Sequence, residues 1–291
     1  MCLLFFNVND NCSSDEFRLV LVNNRDEFWN RPTKPADFWT DNPSCISGLD
    51  LVQGREGGTW FGASHQGRIG CLVNISAPQE LNKQGRGHLV TDFLTTKDTI
   101  QAYAEKIVPE KNNYNGFVLS LIELRKDSSR MALVTNDELA DKASVVSAIN
   151  ANEYNARGNS PVKIPWLKVT KGRDEFRKIV QDHRTVSSKG RLKDELFKLM
   201  HTNEKNWPDP QLHKQGKECG WELKSMEAIS SVFVWDPNRQ YGTRTTTVLL
   251  IDKEGNCDYT ETNLQTPVDS ANPRWSTVNF EFKMHLPDAA F

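Results

Sequence analysis

MCLLFFNV at residues 1–8 and FRLVLVNNRDEF at residues 17–28 are the stretches on which the fold turns. Leu3 to Val8 and Phe17 to Val22 are short apolar runs, and Asn9, Asp10, Asn11, Ser13 and Ser14 between them are turn formers. The pattern predicts a β-hairpin. Neither run alternates cleanly between apolar and polar residues, as expected of strands covered on both faces. With the turn centred between Cys12 and Ser13, antiparallel pairing sets Cys2 opposite Asn23 and brings Asn24, Arg25, Asp26 and Glu27 out beside it.

Further strands are predicted at Thr59 to Ala63, Arg68 to Ile75, Phe117 to Leu124 and Met131 to Thr135. Leu89, Val90, Phe93 and Leu94, and then Ile100, Tyr103, Ala104 and Ile107, recur at helical spacing, so Gly87 to Leu94 and Lys97 to Ile107 read as helices with one buried face. A longer helical block runs from about Lys171 to His201 with a break near Ser187 to Gly190, and a polar stretch, Asn203 to Glu218, follows. Strands resume at Ala228 to Val234, Thr243 to Asp252, Cys257 to Thr262 and Ser276 to Phe282. Strands at both ends of the chain would share sheets, which predicts one domain over residues 1–291 with stacked sheets inside and helices outside.

Charged residues make up 25% and the hydrophobic set 37%, enough for a packed core. Lys plus Arg number 36 against 38 acidic residues, a net charge of -2, so there is no cationic excess for a polyanion and no nucleic-acid partner is expected. Leu3 to Phe6 is too short for a membrane span and no basic segment precedes it. The six cysteines are scattered without a CxxC or CxxCH spacing, which predicts reduced thiols, a cytoplasmic protein, no structural zinc and no covalently attached haem. The sequons at Asn11 and Asn74 would go unused, the C-terminal Leu286 to Phe291 carries no retention or prenylation signal, and a monomer is expected.

Cys2 is the first candidate for chemistry. Removal of Met1 would expose a thiol and an α-amine on one residue, and an amine with a pKa of about 7.7–8.0 can take the thiol proton near neutral pH. The plainer reading is a small apolar residue opening a buried strand. Arg25 close to Cys2 would favour thiolate and a carboxylate would hold that guanidinium in place; the plainer reading of Asn24 to Glu27 is the solvated exit of a strand.

Met1-Cys2 ahead of strand-like sequence, Asn24-Arg25-Asp26-Glu27-Phe28, Gly54-Arg55-Glu56-Gly57-Gly58-Thr59-Trp60, Gly85-Arg86-Gly87, Asn159-Ser160 before Pro165-Trp166, and Tyr241-Gly242-Thr243-Arg244-Thr245 together resemble the NRDE family. The match covers nearly the whole chain in the family's order. The resemblance implies the α/β/β/α sandwich of the N-terminal-nucleophile hydrolases, an α+β fold whose cysteine-dependent amidases use an N-terminal Cys, an Arg, an Asp, two Asn and a second Arg. Carried over by motif, Cys2 would be the nucleophile, Arg25 and Asp26 its electrostatic partners, Asn74 an oxyanion donor, Asn159 an anchor and Arg244 a distal charge, with Asn24 and Glu27 in support. The sequence departs from the amidases in having Arg25 and Asp26 adjacent, which sends them to opposite faces of an extended strand. Either Glu27 takes the Asp role or a bend re-aims the side chains.

Gly57-Gly58 reads as a tight turn entering a strand, since no Lys-Ser/Thr pair follows it. Gly85-Arg86-Gly87 reads as a helix entry or a ligand contact. His65, His88, His183, His201, His213 and His285 have no metal-site spacing and read as surface residues. The resemblance further implies intracellular haem trafficking, with haem or another small molecule as partner and an association with mitochondria or secretory organelles. A Cys2-dependent amidohydrolase is the alternative, and a non-catalytic Golgi or secretory organiser a third.

Overall fold

The structure, a computed structural model, describes residues 2–137, 144–146 and 153–288. Along the chain run strands β1 (Cys2–Val8), β2 (Phe17–Phe28), β3 (Thr33–Phe38), β4 (Cys45–Asp50), β5 (Phe61–Ser64) and β6 (Arg68–Asn74), and helices α1 (His88–Thr95) and α2 (Ile100–Ile107). Then come β7 (Phe117–Leu124), β8 (Ser129–Thr135), β9 (Ser144–Val146) and β10 (Tyr154–Arg157). Helices α3 (Leu167–Asp182), α4 (Lys189–Met200), α5 (Pro210–Glu218) and α6 (Leu223–Ile229) precede β11 (Trp235–Asp236), β12 (Tyr241–Asp252), β13 (Asn256–Leu264) and β14 (Trp275–Lys283).

Two antiparallel sheets result. One has the order β10-β1-β2-β12-β13-β14 with β11 beside β12, and the other runs β3 to β9 in sequence order. Leu4, Phe6, Leu19 and Leu21 of the first sheet meet Phe61, Ile69, Cys71 and Val73 of the second, forming the core between sheets. Leu3, Phe5, Val20 and Val22 point the other way, onto Val169, Phe176, Leu192 and Leu196 of α3 and α4. Leu89, Val90, Phe93, Ile100 and Ala104 of α1 and α2 cover the far side of the second sheet. The layers are therefore α/β/β/α, as the family resemblance implies. Helix α1 lies close because the sheet beneath it is glycine: a Cβ on Gly70 would sit 2.9 Å from Val90 Cγ1, and one on Gly62 2.8 Å from Leu94 Cδ1.

Three sequence expectations give way. The hairpin pairs Cys2 with Arg25, not Asn23; Asn9 donates to the Arg18 carbonyl at 2.8 Å, so the turn closes one residue later than the run of turn formers suggests. That moves the register by two, which leaves every side chain on its expected face. Residues 210–218 of the polar stretch are a helix, capped by Asp209, whose carboxylate accepts from the Gln211 and Leu212 N–H groups, with Pro210 in the first turn. The expected strand at Ala228 to Val234 begins as the end of α6, and Ile229, Val232 and Val234 fill the helix-side core without pairing as a strand of their own. Strands β3 and β4 were also missed, because their apolar residues are few: only Ala36 of β3 is buried.

Candidate functional site

β1 and β2 lie side by side in the middle of the first sheet, so the motif Asn24 to Phe28 is still strand, and Asn23 to Asp26 are buried. The solvated-exit reading fails here. Neighbouring residues of β2 alternate faces. Arg25 faces the second sheet with Cys2, its guanidinium stacked 4.2 Å from the Trp60 ring. Asp26 faces the helices, its carboxylate accepting from Thr243 Oγ1 at 2.7 Å and lying 4.0 Å from the Lys168 ammonium. Glu27 returns to the Arg25 side, 3.7 Å from Arg31. No bend re-aims Arg25 and Asp26; Glu27 shares the Arg25 face, and Asp26, though bonded toward the helices, also borders the cavity at Cys2.

Between the sheets above Cys2 lies a cavity of about 300 Å³, whose lining includes Cys2, Arg25, Asp26, Glu27, Asn74 and Arg86. Burial pushes the Cys2 thiol up from its ordinary range and Asp26 and Glu27 add to the push, while Arg25 is among the positive charges that pull it down. Arg25 beside Cys2 favours the thiolate, but desolvation outweighs it and the thiol stays above its ordinary range. Burial opposes the charge on Glu27 too, yet the positive charge around it, Arg25 and Arg31 included, with the Phe28 N–H, holds the carboxyl below its usual range.

Asn74 ends β6 at the cavity wall. Asn159 is fully buried behind it, donating Nδ2 to the Asn74 carbonyl at 2.7 Å, so these two motif residues are brought together. Arg244 occupies the bulge in β12, between Thr243 paired with Asp26 and Thr245 paired with Arg25. Its Nη1 donates to the carbonyls of Phe28 and Arg31, tying down the end of β2, and burial with Arg25 nearby lowers its pKa to about 10. Asn24 turns to the helix side, bonding the carbonyls of Met200 and Val232. Met1 lies outside the described residues.

The sequence reading assigned no role to Arg31, Arg55, Trp60 or Lys168. Arg31 pairs with Asp50 at 2.5 Å. Arg55 and Trp60 sit in the second motif, so glycines flanking a charged and an aromatic residue were the available signal; for Lys168, buried on α3, there was none. Gly57 has φ +77, a turn as expected, and Gly58 and Gly87 touch backbone to backbone: a Cβ on Gly87 would lie 2.8 Å from Gly58 Cα. Among the histidines, His65 is not a simple surface group, since its ring stacks on Phe282 at 5.1 Å. Among the described residues no cluster of His, Cys, Asp or Glu could hold a metal ion, and no helix is long and apolar enough to cross a membrane.

A family model described as Transport and Golgi organisation 2 matches residues 1–266. The chain is 33% identical over 286 residues to the Transport and Golgi organization 2 homolog of Mus musculus, covering 98% of this chain and 99% of that one. With the Homo sapiens Transport and Golgi organization protein 2 homolog it shares 34% identity over 286 residues, at the same coverage of 98% and 99%. Among solved structures, a Caenorhabditis elegans N-acylethanolamine-hydrolyzing acid amidase ortholog is similar at a TM-score of 0.45 and 10% identity, over 69% of this chain and 86% of that one. No residue role follows from a likeness of that size.

Proposed function

The chain belongs to the Transport and Golgi organisation 2 family, the NRDE family its motifs resemble, and from that premise we propose that it is a monomeric carrier taking a small acidic ligand, haem first among candidates, in the cleft over Cys2. One observation carries this reading: the cleft floor is a thiol kept protonated by burial, beside a guanidinium that stacks on Trp60 and whose buried Nη1 has no hydrogen-bond partner among the described residues. Such a floor suits a ligand with a flat apolar face and a carboxylate edge better than it suits attack by a thiolate. Haem has both features. It would overfill 300 Å³ and extend into the adjoining hollow of about 440 Å³, which shares Asn74, Gln79 and Arg86 with the cleft and ends at Trp221.

Titration of the full chain with ferric haem, followed by absorbance, tests the reading. Saturable one-to-one binding that weakens at least tenfold in Arg25→Met is expected. Binding that never saturates, or that is the same in wild type and variant, would overturn it. A cytoplasmic pool visiting mitochondria or secretory organelles is the matching location, and imaging of the tagged chain against mitochondrial, Golgi and cytosolic markers separates it from the Golgi-organising role in the relatives' names.

Amide hydrolysis by Cys2 is the second reading, supported by the direct pairing of Cys2 with Arg25 and by Asn74 at the cavity wall, where its amide would be an oxyanion donor. Its base would be the α-amine of Cys2, which requires loss of Met1. Intact mass of the natively purified protein, with an amide screen against Cys2→Ala, decides it: a retained Met1 and no thiol-dependent turnover would end this reading.

A further inference from the structure

Two glycine motifs far apart in sequence build one wall of the cleft. Thr59 donates its N–H to the Gly87 carbonyl at 3.2 Å, Gly58 and Gly87 meet without side chains between them, and a Cβ on Gly85 would fall 2.4 Å from Arg55 Nη1. Bare backbone at Gly58 and Gly87 lets the loops meet, and Gly85 leaves room for the Arg55 guanidinium on the wall that also carries Arg86. Arg55 donates to the Lys83 carbonyl at 3.3 Å and Arg86 to the Gly116 carbonyl at 2.7 Å. Burial, with Arg55 next, lowers the Arg86 pKa to about 10.

The carboxylates around the cleft are already engaged. Glu27 and Asp50 flank Arg31, Glu80 lies 3.7 Å from Lys83, and Asp26 faces Thr243 and Lys168. Among the described residues no carboxylate ion-pairs with Arg25, Arg55 or Arg86, and Arg25, which is 5% exposed, keeps its Nη1 unpartnered below them. Four guanidiniums line the cavity, and the three other than Arg31, which have no carboxylate partner among the described residues, repel one another unless an anion lies between them. A planar donor fork fits an oxyanion better than an ammonium would.

We propose that Arg55 and Arg86 form a receptor for the oxyanion headgroup, carboxylate or phosphate, of the cleft's ligand, with Arg25 as the deeper donor. Arg86 also borders the adjoining hollow, so the headgroup is held at the junction of the two cavities and the rest of the ligand lies on either side. The inference rests on the cleft being the functional site, but not on haem as its occupant or on any reactivity of Cys2.

The test titrates the full chain with inorganic phosphate and, separately, with succinate, in a calorimeter at an ionic strength held constant with sodium chloride. Saturable binding of at least one anion is expected, at least tenfold weaker in Arg55→Met and in Arg86→Met, partly restored in Arg86→Lys, and intact in the surface control Lys178→Met. Phosphate binding without succinate binding assigns the ligand to phosphate esters, and the reverse to carboxylic acids. Cooperative melting of each variant near the wild-type Tm separates loss of the site from loss of the fold. No saturable binding by the wild type, or binding unchanged in folded Arg55→Met and Arg86→Met, would overturn the receptor. Haem binding that survived such a result would leave the carrier reading standing, whereas anion binding without haem binding would do the opposite.

Discussion

The two faces of β2 between Asn23 and Glu27 are about equally buried and chemically unlike. Toward the helices, Asn24 gives its amide to the carbonyls of Met200 at 2.8 Å and Val232 at 3.2 Å and accepts from Thr246, while Asp26 accepts from Thr243 with Lys168 behind it. Toward the other sheet, Asn23 Oδ1 and Arg25 Nη1 have no hydrogen-bond partner among the described residues. A buried polar network with its bonds made locks one arrangement of strand and helices. A buried donor or acceptor left unmade costs about 1–3 kcal/mol and persists where a function needs it. One strand thus carries a bonded framework on one side and, on the other, the unmade polar groups on which the proposed receptor rests.

Asp26→Ala should break the framework face most severely. It leaves the Lys168 ammonium, which is fully buried, without its carboxylate, a change worth about 3–5 kcal/mol. Urea unfolding measures it, and a loss below about 1 kcal/mol would mean that Lys168 is already neutral in the folded state and that the pair is no framework. Asn24→Ala is next: the carbonyls of Met200 and Val232 lose their donor and the Thr246 hydroxyl its acceptor, for about 1–3 kcal/mol in the same experiment.

The receptor face should behave in the opposite sense. Arg25→Met removes a buried charge that no carboxylate pairs among the described residues and keeps most of the apolar stem against Trp60, so the melting temperature should hold or rise while ligand binding falls. A melting temperature that drops as far as in Asp26→Ala would erase the contrast between the faces. The smallest effect is on Cys2. Because burial raises its pKa, its alkylation by a neutral reagent should begin to climb at a higher pH than that of a free cysteine, whose pKa is about 8.5. Arg25→Met withdraws the cation that lowers this value and should move the rise further up. Fast alkylation of Cys2 at neutral pH in the wild type would instead favour the hydrolase reading.

Much was legible in the chain itself. The unbroken apolar runs of β1 and β2 required cover on both sides, and the spacing of Leu89, Val90, Phe93 and Leu94 required a helix over a sheet, so stacked sheets with helices outside followed from local patterns and the α/β/β/α order from the family resemblance. Arg25 and Asp26 on opposite faces followed from strand geometry alone. The Asp209-Pro210 helix start was equally readable and was passed over because the polar residues around it masked a short apolar face.

What the tertiary structure decided concerns pairs distant in sequence. Arg55 meets Gly85, Arg25 meets Trp60, Asp26 meets Lys168 and Asn74 meets Asn159 only after the sheets stack, and no periodicity encodes such a meeting. The protonation of Cys2 belongs to the same class. From sequence, a thiol near an arginine reads as activated; in the fold, the cost of desolvating a thiolate exceeds what one guanidinium returns, because burial is a property of all the layers around Cys2 and the charge pairing a property of a single neighbour.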